Sequence, residues 1–436
     1  MISLDWTRPK DPPLSLGHAS ILANLYANKI NVLANSWAVN NPLFKVEDVV
    51  QYIESLNPFE HDLALGVFVW NEEHVKKIIK HLKNNSFPGR IILGGPQISY
   101  VKKDVENYYP DADIFIRGYA EEALVKYMLS TEPFPVIQGI HFAGEPQQSS
   151  PTAVSAIADL DSIPSPFLTG VLRKQRFMRW ETQRGCPFRC SFCQHRESDV
   201  SKKRRPFPKH RIEQEIDWLT EDHIVQDLAV LDPVFNSGSN YLTVLERFAS
   251  RKYSGKIALQ CRMEMVKPEF LDIVQEVNKT GRVVLEFGLQ TIHRQEQLLI
   301  QRLNNMPKVR DVLEETKSRK IETELSLIFG LPGQTVESFK ASIDFCKSYE
   351  VPTIHAFPLM LLRGTPLHEE KHKHKLVESN DTLHLLEVAR NTDDKPPDND
   401  STPHVVSGES FSYADWLKMS EMADDLQNTY IQQKRY

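Results

Sequence analysis

The spacing Cys-x-x-x-Cys-x-x-Cys at Cys186, Cys190 and Cys193 constrains this chain more than any other feature. Three of its five cysteines fall inside eight positions. Thiolates are soft ligands that select iron–sulfur clusters, zinc or copper(I). A structural zinc site closes its tetrahedron with four protein ligands, and a cubane held by protein alone uses four thiolates. Three clustered thiols with no fourth nearby leave one metal corner open for a group that is not protein. Iron with such a corner binds a chelating small molecule and passes it an electron. A zinc set completed by His195, or three buried thiols, are the plainer arrangements these residues allow.

The rest of the chain fits an α/β protein built from more than one domain. A length of 436 residues points to two or three domains. A net charge of −6 gives no basic field for nucleic acid, and no apolar run reaches the length of a membrane span. An odd cysteine count argues against a disulfide framework and for a reducing compartment, most simply the cytoplasm. Met1 to Trp6 lacks a basic-then-apolar signal layout.

Residues 1–150 alternate apolar runs with helical periods, the pattern of a parallel sheet covered by helices. Strands are expected at 29–34, 63–71, 90–96 and 114–118, and helices at 46–56, 74–82 and 121–129. Residues 130–178 read as a connector, its last part, 151–178, being the linker proper, because prolines and glycines interrupt any regular element. From about residue 179 to 367 the period becomes strand, loop, helix, repeated. Six strands are expected, near 179–183, 228–236, 256–262, 283–291, 324–329 and 354–362. Six is short of a closed barrel, so a partial barrel open on one side is expected, with its chemistry at the carboxyl ends of the strands. Residues 368–436 hold a polar loop over 391–407 and a final helix from about 410, a small, mainly helical segment for which a lid over the barrel and aromatic packing are the two readings.

The cysteine motif, with Pro187-Phe188-Arg189 in its first gap and Phe192 before its last cysteine, resembles the signature of the radical S-adenosylmethionine (SAM) enzymes. So does Gly330-Leu331-Pro332-Gly333-Gln334-Thr335 downstream. Val67 to Asn71, Leu93 to Pro96 and Arg117 to Glu121 resemble the cobalamin-binding domain that precedes the barrel in one subgroup of that family. The resemblance implies a Rossmann-like front domain, then a partial (β/α)6 TIM-type barrel. It implies a 4Fe-4S cluster on Cys186, Cys190 and Cys193, SAM chelated to the fourth iron, and reductive cleavage to a 5′-deoxyadenosyl radical. An external donor such as flavodoxin or ferredoxin supplies the electron in such enzymes, and the substrate is a small molecule. Methylation of an unactivated carbon with cobalamin is the activity implied first. Dehydration, epimerisation or rearrangement without cobalamin, or metal binding without catalysis, are the alternatives.

Residue by residue, the resemblance places Phe192, Asp232, Arg262, Glu286, Gln290, Ile328, Gly330 and Leu361 about SAM. Asp232 stands where many relatives carry Gly-Gly-Glu, and is a candidate for the SAM ammonium or for a turn. Arg262 is a candidate for the SAM carboxylate, because a guanidinium fork matches that group. Glu286, Gly288 and Gln290 share a strand face by alternation. About cobalamin the resemblance places Trp70, Asn71, Gly94, Gly95, Pro96, Gly118 and Glu121. The Asp-x-His-x-x-Gly motif that supplies a histidine to cobalt elsewhere is absent. Lys202 to Arg205 reads as a solvated turn, with contact to an anionic substrate or an electron donor as the other reading.

Overall fold

The computed structural model describes residues 1–8, 10–56, 61–101, 103–144, 154–195, 204–379 and 402–434. They form two compact units, the first over Met1–Arg173 and the second holding most of the residues from Lys174 onward. No helix among the described residues is long and apolar enough to cross a membrane.

In the first unit a six-stranded sheet has the order β2-β1-β3-β4-β5-β6. β1 (Ile2–Asp5), β2 (Asn35–Ala38), β3 (Leu63–Gly66), β4 (Ile91–Gly94) and β5 (Ile114–Ile116) run parallel. β6 (Ile140–Phe142) lies antiparallel on the edge. The connecting helices are α1 (Leu16–Ala27), α2 (Val46–Ser55), α3 (Glu72–Asn84), the single turns α4 (Pro96–Ser99) and α5 (Val105–Tyr108), and α6 (Ala120–Leu129). In α2 the apolar positions Val49, Val50 and Ile53 are the buried ones, as their spacing requires. The sheet is a doubly wound α/β sheet whose strand order reverses between β1 and β3, which is where such sheets bind ligands.

Three sequence expectations for this unit need correction. No strand covers 29–34; the strand begins at Asn35, after an irregular approach. The first strand is Ile2–Asp5, where four residues are too few to show a period. The expected connector contains β6, whose Ile140 and Phe142 are buried. Beyond it, Ala156 bridges to Gly118 and ties the connector to the end of β5.

In the second unit six parallel strands succeed one another in sequence order. They are β7 (Phe177–Trp180), β10 (Asp227–Val230), β11 (Lys256–Cys261), β12 (Arg282–Gln290), β13 (Glu322–Phe329) and β14 (Thr353–Pro358). A short antiparallel ribbon, β8 (Gln183–Arg184) with β9 (Arg205–Pro206), comes after β7. The helices are α7 (Lys209–Thr220), α8 (Tyr241–Ser250), α9 (Pro268–Val277), α10 (Arg294–Leu299), α11 (Met306–Ser318), α12 (Val336–Ser348) and α13 (Pro366–Glu369). Among the described residues no pairing joins β7 to β14, so the sheet stays open, as a strand count of six implies.

The two faces of this sheet differ by strand parity. Met178, Trp180, Leu228, Val230, Ile257, Leu259, Val283, Leu285, Phe287, Leu325, Leu327 and Phe329 are all buried on one face. The opposite parity carries Arg179, Gln260, Glu286, Ser326, His355 and Phe357, all partly or fully exposed, whereas the bulge after Gly288 pairs Gln290 with Leu327 and breaks the alternation expected from Glu286 and Gly288. The second set is the polar face that an open barrel turns toward a ligand.

Antiparallel β15 (Val377–Ser379) and β16 (His404–Ser407) precede the last helix, Tyr413–Lys434. Its Trp416 is fully buried against Phe329 of β13, which also meets Phe339 of α12. That part of the expected lid is therefore packed into the core on the apolar side of the sheet. Most of the expected polar loop lies outside the described residues.

Candidate active site

The cysteine loop starts where β7 ends. Asp232, fully buried after β10, accepts hydrogen bonds from the Thr182 and Gln183 amides at 2.7 and 3.2 Å and from the Thr182 hydroxyl. Gly185 then turns the chain with a φ of +88°, a conformation glycine adopts without strain. The far end of the loop is held from other elements. The Ser191 amide donates to Ile300 O across 2.9 Å, and Leu367 N–H donates to Ser191 O across 3.0 Å. Gln194 Nε2 donates to Arg363 O across 2.8 Å. The stretch carrying the three thiols is thus pinned at both ends.

All five cysteines are free thiols. Burial pushes Cys193 up to about 11 and raises Cys186, with the Cys190 charge adding to both. Such thiols stay protonated until a metal takes the proton's place. Among the described residues no three His, Cys, Asp or Glu side chains converge closely enough to hold a single ion. Tetrahedral zinc requires that convergence, whereas a four-iron cluster receives its thiolates at separate corners. The donor set therefore fits the cluster better than zinc. Cys261 and Cys346 are buried in the core, away from this chemistry, with thiols raised by burial.

Two arginines reach the loop. Arg262, at the end of β11, stacks its guanidinium 3.8 Å from the Phe188 ring centroid. Its Nε donates to Glu264 across 3.0 Å and its Nη2 to Leu303 O across 2.8 Å. Arg302, between α10 and α11, donates from Nη1 to Cys190 Sγ across 3.7 Å and from Nη2 to Gly288 O. Its Nε is buried without a partner. Sequence reasoning did not single out Arg302. Its one signal is position: an arginine in the turn between the two helices that follow the glycine-glutamine strand.

The other residues expected about SAM fall at the carboxyl end of the same sheet. Gln290 sits at a φ of +65°, unusual for a residue with a Cβ, where β12 bulges against β13. Its Oε1 is buried and unpaired, and its amide covers Gly288. Glu286 lies further down that strand beside Glu324 of β13, and His355 Nε2 is 3.2 Å from the Glu324 carboxylate. Ile328 and Gly330 occupy the end of β13, with Gly330 at a φ of +83°. Leu361, after β14, is buried; Phe192 is half-buried on the loop. Both Asp232 oxygens are already engaged by backbone and hydroxyl donors.

In the first unit the residues expected about cobalamin collect at the carboxyl edge of the sheet. Gly95 has a φ of +92°, and a Cβ there would meet Val67 O at 2.7 Å. Gly118 is similar, with Ala156 O at 2.5 Å. Gly94 ends β4 and Pro96 opens α4. Trp70 stacks on Phe68 with centroids 4.6 Å apart, and its buried indole N–H has no partner; nor has that of Trp6, just after β1. Two orphaned donors and a flat aromatic shelf beside the β1/β3 reversal fit a large, acceptor-rich ligand. Asn71 and Glu121 are engaged within the protein. Asn71 bonds Leu4 O, Gly66 O and Phe68 N–H, and Glu121 accepts from Ser20 while its carbonyl accepts from Asn24.

An open six-stranded parallel barrel with a three-cysteine loop after its first strand defines a radical SAM domain. Residues 180–346 match the Radical SAM superfamily. The chain is 26% identical over 368 residues to the cobalamin-dependent radical SAM methyltransferase TokK of Streptomyces tokunonensis, covering 79% of this chain and 53% of TokK. It is 26% identical over 350 residues to the 2-(S-pantetheinyl)-carbapenam-3-carboxylate methyltransferase of Streptantibioticus cattleyicolor, covering 74% and 50%. The chain thus spans about half the length of these curated relatives. The fold matches the radical SAM methyltransferase TsrM of Kitasatospora setae, solved with cobalamin and a [4Fe-4S] cluster, with a TM-score of 0.67 at 16% identity over 95% of this chain and 83% of that one.

Proposed function

We propose that this chain is a cobalamin-dependent radical SAM enzyme that methylates an unactivated carbon of a small molecule. The observation that carries this reading is Cys186, Cys190 and Cys193 pinned at the carboxyl end of an open parallel barrel, with Arg302 donating to Cys190 Sγ. The orphaned indoles of Trp6 and Trp70 support the cobalamin part, and so do the two named methyltransferases. When bound, the cluster and SAM supply a hydrogen-abstracting radical and cobalamin supplies a methyl carrier; the organic work is theirs.

The chain's own residues bind and orient. Cys186, Cys190 and Cys193 would hold the cluster, leaving SAM as its remaining ligand. Arg302 is better placed than Arg262 for the SAM carboxylate, because its Nε is buried without a partner while Nε and Nη2 of Arg262 are engaged. Gln290 offers a buried, unpaired Oε1 to a ribose hydroxyl. Gln260, Glu286, Ser326 and His355 on the polar face meet the substrate and keep bulk water from the reacting carbon. The electron comes from a flavodoxin- or ferredoxin-type donor.

The test is anaerobic reconstitution with iron, sulfide and hydroxocobalamin. Expected are a bound corrin chromophore and, with dithionite and SAM, release of 5′-deoxyadenosine. Alanine at Cys186, Cys190 or Cys193 abolishes both the cluster absorbance and that product, whereas alanine at Cys261 or Cys346 abolishes neither. SAM cleavage without any corrin uptake would move the reading to a cobalamin-free rearrangement. No SAM cleavage at all would end it.

A further inference from the structure

Arg262 belongs to a chain of contacts that ends between the first two cysteines. The Asn236 side chain accepts from the Arg262 amide through Oδ1 and donates to the Arg262 carbonyl through Nδ2, both at 2.9 Å. Asn236 is itself buried, in the turn after β10. Two groups fix the guanidinium in turn. Glu264 accepts from Nε, and the other Glu264 oxygen accepts from the Asn305 amide at 3.2 Å; Leu303 O accepts from Nη2. The flat cation then lies 3.8 Å from the Phe188 ring centroid. Phe188 falls midway between Cys186 and Cys190. Only about 7% of Arg262 is exposed, so this charge is poorly screened.

We propose that Arg262 is a positioning residue of the cysteine loop: stacked on Phe188, it fixes the Cys186–Cys190 segment and holds a positive charge beside the cluster that raises its reduction potential. The proposal rests on the cluster reading given above and adds a role for a residue whose sequence pattern pointed to the SAM carboxylate instead. Each part has a physical cause. A guanidinium over an aromatic face is held by the ring quadrupole, and more strongly when both are desolvated. Reduction adds one negative charge to the cluster, so a fixed nearby cation stabilises the reduced form; cluster potentials respond to local charge and hydrogen bonding. Glu264 and the Leu303 carbonyl leave the side chain little freedom to swing toward a ligand.

The test is a redox titration of the reconstituted cluster, monitored by its electron paramagnetic resonance signal, with SAM affinity measured in parallel. Arg262→Met keeps the length and removes the charge. The reduction equilibrium constant is expected to fall about tenfold, which is 59 mV for a one-electron couple. Arg262→Lys keeps the charge and is expected to stay close to wild type in potential. Phe188→Leu removes the stack and is expected to shift the potential in the same direction as Arg262→Met. The double variant is expected to shift less than the sum of the two, because both act through one contact. SAM affinity is expected to change by less than threefold in Arg262→Met. An unchanged potential with tenfold weaker SAM binding overturns the proposal, and so do strictly additive shifts. Should Arg262→Met fail to hold iron, Phe188→Leu and Arg262→Lys still read the potential. A wild-type protein that forms no cluster removes the cluster reading itself, an outcome distinct from a cluster whose potential ignores Arg262.

Discussion

Thr182 gives the buried carboxylate of Asp232 both its backbone N–H, across 2.7 Å, and its hydroxyl. Asp232 thereby holds the strand end from which the cysteine loop leaves. Removing it leaves two amides and a hydroxyl without partners in the interior. Asp232→Ala is expected to destabilise the protein by about 3 kcal/mol, read by urea unfolding of the metal-free chain. Asp232→Asn, which keeps one acceptor, is expected to lose less than half of that.

The same residue sets a pH dependence. Burial pushes the Asp232 carboxyl up to about 7, against the hydrogen bonds from Thr182 and Gln183, which lower it. An acid whose folded value lies above its unfolded one binds more protons when folded, so the protein loses stability as pH rises between the two. The loss expected from this group between about pH 4 and pH 7 is on the order of 4 kcal/mol. Urea midpoints of the metal-free chain at pH 5 and pH 8 check the sign, and Asp232→Asn should flatten the difference. Midpoints that are equal at pH 5 and pH 8 in both wild type and Asp232→Asn would show the carboxylate to be charged throughout.

Gly95→Ala tests the front domain. The new methyl would sit 2.7 Å from Val67 O, at a φ of +92°. A cost of about 2 kcal/mol is expected from strain alone, with weaker corrin retention on gel filtration. Gly144→Ala, at a φ of +83° but with no atom within 4 Å, is the control for backbone strain without the clash.

Gln290→Gly separates stability from function. Glycine adopts a φ of +65° freely, so thermal stability is expected to hold or to rise by about 1 kcal/mol. SAM affinity is expected to fall about tenfold, roughly 1.4 kcal/mol, when the side-chain acceptor is lost. Calorimetry on the same preparation gives both numbers; unchanged affinity would take Gln290 out of the site.

Trp416→Ala tests the last helix. Its ring is fully buried against Phe329 and His404. Truncation is expected to cost about 3–5 kcal/mol, enough to detach the helix in a limited-proteolysis time course.

The cysteine loop was legible because its chemistry is written in one contiguous string. The six barrel strands were legible too, each being an apolar run with its own helix behind it. What the sequence hid was whatever depends on partners far along the chain. Asp232 read equally as a ligand contact or as a capping or turn residue, because an aspartate after a strand can serve either purpose; its bond to Thr182, fifty residues earlier, leaves no mark in the local sequence. Arg302 was passed over because a single arginine in a turn has no pattern, although it ends beside Cys190, 112 positions away. Arg262 was noticed for its fork and not for the ring of Phe188 beneath it. Ile2–Asp5 was missed because a four-residue strand carries almost no periodic signal, and 29–34 was mistaken for a strand because Ile30 and Val32 pack on the core without pairing, while Leu33 and Ala34 are exposed.

β1 lies between β2 and β3 and is buried along its whole length. An inner strand of the first sheet is therefore made by residues 2–5, while its two neighbours are added from positions 35 and 63 onward. Trimming five residues, a routine step when a recombinant boundary is chosen, would excise the keel of this unit rather than tidy a loose end. The lone strand β2 and the β3–β6 ribbon would then be separate pieces with raw facing edges, a recipe for insoluble material.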